Sequence, residues 1–103
     1  MQPWLASGST NGVLIISDMG TGVIRHKMNV GGGIIKLAWI PTTSFLVAST
    51  AHGLVKVLDA RDGSTKADFT GHAGMVLDFK VSGRAIVTGG DDGVARVFDT
   101  TGF

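Results

Sequence analysis

One fourteen-residue pattern occurs three times in this chain, and it constrains the fold more than any other feature. Leu5-Ala6-Ser7-Gly8-Ser9-Thr10-Asn11-Gly12-Val13-Leu14-Ile15-Ile16-Ser17-Asp18 is followed by Leu46 to Asp59 and by Ile86 to Asp99 in the same arrangement. The turn glycines Gly12, Gly53 and Gly93 fall 41 and 40 residues apart, and the closing aspartates Asp18, Asp59 and Asp99 keep those intervals. A repeat of this length means stacked units, none of which can bury its apolar surface alone.

Each copy reads as a hairpin. Short apolar segments flank Thr10-Asn11-Gly12, Ala51-His52-Gly53 and Asp91-Asp92-Gly93. Asn-Gly and Asp-Gly supply the positive φ that tight hairpins need, and His52 tolerates the left-handed region better than most residues. A second turn follows at Asp18 to Gly22, Asp59 to Gly63 and Asp99 to Gly102. Four further strands are predicted over 23–29, 34–40, 64–70 and 75–81. They are separated by Gly31-Gly32-Gly33, by Pro41 with Thr42-Thr43-Ser44, by Gly71-His72-Ala73-Gly74 and by Ser82-Gly83. No segment carries a 3.6-residue period long enough for a helix. The reading is all-β: ten strands, four per repeat, with repeat blocks of about 1–29, 30–70 and 71–103.

Composition agrees. Gly supplies 16 of 103 residues, above the ~7% average, as many tight turns require. Charged residues are 17% against the usual ~25%, which fits sheets packed on both faces. A formal charge of +1 with no basic cluster argues against direct nucleic-acid binding or an anionic membrane surface. The apolar runs are too short to span a bilayer as a helix. With no cysteine, disulfides, thiol catalysis and cysteine-bound zinc are excluded, and a cytoplasmic location, or a nuclear one, fits better than a secreted one.

Gly71-His72 opening a repeat and Phe98-Asp99 closing it, with Thr88-Gly89-Gly90-Asp91-Asp92-Gly93 between, resembles the WD-repeat family of β-propellers. The resemblance runs over essentially the whole chain. It implies a partial propeller of about two and a half four-stranded blades. In that layout the chain opens within a blade at Leu5 and stops at Gly102-Phe103 before the last blade has its outer strand. It would then be the carboxy-terminal portion of a longer protein, and on its own it would associate. The resemblance also implies a hydrogen-bonded blade network of His72, Thr88 and Asp92. Phe98 stands in the place of the family's Trp, so the chain of bonds would end one link early. The middle repeat, with Val30, Ala48, His52 and Leu58 in those places, cannot form it. Within the family, residues 33–39, 53–63 and 71–79 resemble the carboxy-terminal blades of the angio-associated migratory cell protein subfamily. Its fungal counterpart is a ribosome-assembly factor.

Gly31-Gly32-Gly33 with Lys36 lacks the Gly-Lys-Ser/Thr ending and a following helix, so it reads as a structural turn rather than a phosphate cradle. His26, His52 and His72 fall in different places in the repeat, without metal-ligand pairing. No Gly-x-Ser-x-Gly elbow is present. Trp4, Trp39, Phe45, Phe69 and Phe79 read as packing between blades. These readings argue against the rival of an enzyme using the propeller centre, for which no residues are found, and call for no cofactor or metal.

The expected function is a non-catalytic scaffold for protein binding. By the resemblance, it would serve ribosome biogenesis, with a basic ribosomal protein as partner. Thr10, Ala51 and Asp91 occupy one repeat position, and with Met75 they are the expected partner-binding residues. An alternative is a ubiquitin-ligase substrate receptor, because Asp59-Ala60-Arg61 resembles the Asp-x-Arg ending of some family members.

Overall fold

The computed structural model describes residues 4–40, 43–70, 74–82 and 85–99, and these contain ten β-strands and no helix. They are β1 (Trp4–Gly8), β2 (Val13–Asp18), β3 (Ile24–Asn29), β4 (Ile34–Trp39), β5 (Phe45–Thr50), β6 (Val55–Asp59), β7 (Ser64–Phe69), β8 (Val76–Ser82), β9 (Ala85–Gly90) and β10 (Ala95–Asp99). All ten match the strands expected from sequence to within a residue or two. Pro41, Thr42, Gly83 and Gly102, offered as breaks, lie outside the described residues.

The strands form three antiparallel sheets, in the orders β1-β2-β3, β4-β5-β6-β7 and β10-β9-β8. The middle sheet has four strands and the flanking sheets three each. Among the described residues, β1 and β10 are edge strands of their sheets. The sheets stack face to face into a body of 41 × 29 × 17 Å. The innermost strand of the middle sheet, β4, packs against β1 on one side and β8 on the other.

Two apolar clusters lie between the sheets, and side-chain alternation assigns the residues to them. The first is built on Trp4, Leu14, Ile16, Val30, Leu46, Leu58 and Ala60, with Trp39 packed against it. The second is built on Ile40, Val47, Val55, Val57, Val76, Phe79 and Ile86, with Phe45, Phe69 and Phe98 against it. Leu46 faces the first sheet and its neighbour Val47 faces the third, because successive strand residues point to opposite faces. Residues 46–50 and 57–60 are therefore buried without a break. That is why Phe45-Leu46-Val47-Ala48 of β5 reads as a continuous apolar run rather than as an alternating one.

Candidate interaction rim

The three hairpin turns close alike, as three-residue loops. Ser9 donates to the Val13 carbonyl at 3.1 Å, Thr50 to Leu54 at 3.0 Å and Gly90 to Val94 at 3.1 Å, all through backbone N–H groups. The left-handed position is the glycine each time, with φ of 88° at Gly12, 81° at Gly53 and 77° at Gly93. A turn followed by a left-handed glycine is the common three-residue hairpin.

The residue before each glycine acts differently from copy to copy. Asn11 Oδ1 accepts from the Val13 N–H at 3.4 Å, and Asp92 Oδ1 from the Val94 N–H at 3.1 Å. His52 makes no such bond; instead Thr50 Oγ1 accepts from the Leu54 N–H at 3.1 Å and the His52 N–H at 3.3 Å. In the third copy the position of Thr50 is Gly90, which has no side chain, so Asp92 supplies the acceptor. The first copy uses both, since Ser9 Oγ also accepts from Val13 at 3.2 Å. Sequence comparison aligned Asn11, His52 and Asp92 but missed that Ser9 and Thr50 share their task; a hydroxyl two residues earlier was the available signal.

The glycine-rich lead-ins meet these turns. Ile34 N–H donates to Ser9 at 3.0 Å and Val30 N–H to Gly12 at 2.9 Å, which ties the first turn to the Gly31-Gly32-Gly33 segment. Ala51 N–H donates to Gly33 at 2.8 Å, and in the equivalent place Asp91 N–H donates to Met75 at 3.0 Å. A side chain at Gly33 would stand 2.6 Å from the Thr10 carbonyl oxygen. That triple-glycine run is thus a close backbone crossing between two hairpins. Thr10 and Ala51 sit on either side of Gly33, and Asp91 sits over Gly74 and Met75. The Thr10, Asp91 and Met75 side chains are exposed, and Ala51 is half-buried.

Of the expected blade network, His72 lies outside the described residues. Thr88 is buried, with its hydroxyl 3.5 Å from the Arg96 carbonyl oxygen. Asp92 closes its own turn as described. Phe98 stacks on Phe69 with ring centroids 4.6 Å apart, inside the second apolar cluster. At this position the aromatic ring is part of the packing between sheets.

At the opposite end of the strands, the repeated aspartates organise the second set of turns. Asp18 Oδ1 accepts from the Gly20 and Thr21 N–H groups at 2.8 and 3.1 Å. Asp59 is buried and does more. Its carboxylate accepts from the Arg61 backbone N–H at 3.0 Å and the Ser44 hydroxyl at 2.9 Å, and it pairs with the Arg61 guanidinium through Nη2 at 2.7 Å and Nε at 3.1 Å. The Arg61 side-chain bond, helped by the Arg61 backbone and Ser44 hydrogen bonds, holds the Asp59 carboxyl far below the usual carboxylate range despite burial. Arg61 stays open to solvent on its outer side, and its carbonyl lies 3.2 Å from His26 Nε2 of the first sheet. Asp59-Ala60-Arg61 therefore has a structural task within the fold.

Between the inner strands, Lys36 Nζ reaches Asp78 Oδ1 at 2.5 Å and the Phe79 carbonyl at 2.8 Å. Lys36 chiefly lowers the Asp78 pKa, through this bond. Lys36 of the triple-glycine motif is thus an inter-sheet tie.

A family model for the WD domain, G-beta repeat, matches residues 63–99. That span is β7 of the middle sheet followed by β8, β9 and β10 of the third, so one sequence repeat straddles two sheets. The chain belongs to the WD-repeat family. The human angio-associated migratory cell protein is 35% identical over 100 residues, covering 95% of this chain and 23% of that protein. The ribosome assembly protein SQT1 of Saccharomyces cerevisiae is 30% identical over 105 residues, covering 92% of this chain and 24% of that protein. The crystal structure of Sqt1 superposes with a TM-score of 0.84 at 30% identity, covering 94% of this chain and 28% of that one. The chain thus spans about a quarter of the length of these relatives. WD-repeat proteins are in general non-catalytic scaffolds for protein partners.

Proposed function

We propose that this chain is a non-catalytic protein-binding part of a WD-repeat propeller in ribosome assembly, and that its partner is a basic ribosomal protein. The observation that carries the reading is the rim itself. Each hairpin turn is bonded to a glycine-bearing lead-in, the first two turns at Gly33 and the third at Gly74 and Met75, which sets the Thr10, Asp91 and Met75 side chains in solvent on a rigid scaffold. Loops held this way are where stacked-repeat proteins carry recognition. Asp91 would attract a basic partner, and Met75 offers a flexible apolar contact beside it. The similarity to SQT1 supports the pathway. Asp59-Ala60-Arg61 is accounted for by its turn, so the ubiquitin-ligase alternative has no observation in its favour.

The test is a titration of this chain with total protein extracted from purified ribosomes, followed by identification of what binds. Capture of basic ribosomal proteins is expected. Asp91→Lys should weaken it, with the loss shrinking as salt rises, and Met75→Ser should weaken it at every salt concentration. Unchanged capture by both variants, with folding intact, would remove the rim from the account.

A further inference from the structure

The strands β4 and β8 each carry one residue more than the partner strand can pair. In β4, Ile34 pairs with Thr50 and Lys36 with Ser49, so Ile35 is a bulge. In β8, Val76 pairs with Gly90 and Asp78 with Gly89, so Leu77 is a bulge. The two correspond. Each lies two residues past the carbonyl, of Gly33 or Met75, that accepts from the Ala51 or Asp91 N–H of a hairpin turn. A bulge re-aims the side chain that it frees from the ladder. Both freed side chains are apolar, and Ile35 is 41% and Leu77 51% exposed.

Ile35 belongs to the middle sheet, which has an apolar cluster packed on each face, so its exposure does not come from a face that lacks a neighbour. It lies at an edge: β4 and β8 border their sheets, and they pack against each other. Lys36, next to the first bulge, spans the two strands to Asp78, next to the second, and to the Phe79 carbonyl. Its Nζ also lies 5.1 Å from the Phe79 ring centroid. This tie fixes the two bulges on adjacent strands, at the rim end of each. On the third sheet the apolar surface continues to Met75, while Val76 between Met75 and Leu77 is fully buried. Two carboxylates flank it. Asp91 sits over Gly74, and the Asp78 side chain is 75% exposed although one of its oxygens holds Lys36.

We propose that Ile35, Leu77 and Met75 seat an apolar side chain of a protein partner, and that Asp78 and Asp91 hold basic side chains on either side of it. The partner is then an extended basic segment with an apolar residue inside it. This rests on the protein-binding reading of the rim and adds to it the requirement for an apolar anchor. Charge names the occupant. The two carboxylates outnumber the Lys36 ammonium between them, which favours a cationic segment and disfavours an acidic one. Side chains two apart in an extended segment share a face, so basic residues two positions from the anchor meet the same surface. A basic segment without the anchor would leave Ile35 and Leu77 in water and forfeit their burial.

The test uses two labelled synthetic peptides of equal charge, Lys-Ser-Lys-Ser-Leu-Ser-Lys-Ser-Lys and the same peptide with Ser in place of its Leu. Each is titrated with this chain and followed by fluorescence anisotropy. The leucine peptide is expected to bind about tenfold more tightly. Ile35→Ser and, separately, Leu77→Ser should remove most of that preference and leave the serine peptide unaffected. Asp91→Asn should weaken both peptides alike. The two serine variants lie in different sheets, so if circular dichroism shows one to be unfolded the other carries the test. Leu5→Ser and Val97→Ser, at residues 56% and 68% exposed on the outer faces of the first and third sheets, should leave the preference intact. Equal affinity for both peptides, or binding of neither, would overturn the seat. Loss of the preference in Leu5→Ser or Val97→Ser, with Ile35→Ser and Leu77→Ser unchanged, would equally overturn it. Preference for the leucine peptide without capture of ribosomal proteins would support the seat and remove only the ribosomal pathway.

Discussion

The middle and third sheets carry nearly the same hairpin, yet they live in different surroundings. Val47 and Val57 are sealed between sheets, whereas Val87 and Val97, at the same repeat positions, look into solvent. Nothing local distinguishes them: both pairs are cross-strand neighbours closed by a left-handed glycine. The difference is that the middle sheet has a neighbour on each face. In a stacked repeat, stability is close to a sum of unit terms and nearest-neighbour interfaces, so a sheet with two interfaces outlasts one with a single interface. The same side chain should therefore matter differently according to the sheet it occupies.

The largest effect should come from Leu46 against Leu5. Leu46→Ala should cost about 2–5 kcal/mol of unfolding free energy, as large-to-small changes in a packed core do. Leu5→Ala, measured by denaturant titration at dilutions that keep the chain monomeric, should fall within about 0.5 kcal/mol of the parent. Equal costs would break the comparison.

Glycines offer a second contrast. At Gly33 an added methyl meets the Thr10 backbone, so Gly33→Ala should destabilise by about 1–3 kcal/mol. At Gly89, on the uncovered face, the same methyl meets nothing within 4 Å. Gly89→Ala should be neutral, or stabilising by up to about 1 kcal/mol through the unfolded chain. Thermal melts of the two variants would decide.

The aspartate turns sharpen the contrast through pH. The Asp59 pKa is lower in the folded chain than in the unfolded one. Its stabilisation is therefore complete above the ordinary carboxylate range and is lost as pH falls through that range toward the folded value. Asp59→Asn should cost about 1–3 kcal/mol at neutral pH, since buried partners lose their charged acceptor. It should also flatten the acid limb of a stability–pH curve. Asp18→Asn, in the exposed first-sheet turn, should cost less at neutral pH than Asp59→Asn.

The smallest effect concerns the hairpins. Asp92→Ala removes the acceptor for Val94 and should cost about 1 kcal/mol, whereas His52→Ala should cost little because Thr50 closes that turn. Thr50→Val should then cost what Asp92→Ala does. A reversed order of His52 and Asp92 in chemical denaturation would refute the assignment of turn acceptors.

The strands and their order were legible because three in-phase copies made the period unambiguous, and glycines at fixed positions marked the turns. The burial of residues 46–50 was foreshadowed by Leu46-Val47-Ala48, an apolar run that alternation could not explain. Contacts that cross between sheets were not legible. The reach of Lys36 to Asp78 and the bond of His26 to the Arg61 carbonyl join residues about four strands apart, and no local pattern encodes them. Phe98 was read through the N–H that it lacks relative to the family's Trp, rather than through the aromatic ring that the two share. Its stacking on Phe69 follows from the packing between sheets, which a single repeat does not reveal.

The claim beneath these comparisons is that covering on both faces, rather than local sequence, ranks the three sheets in stability. Native-state hydrogen exchange resolved to single strands measures that ranking directly, because local openings expose weakly held elements first. The account predicts the slowest exchange in β5 and β6, and faster exchange in the equivalent strands β9 and β10. Exchange in β10 as slow as in β6, from a chain shown to be monomeric, would contradict it.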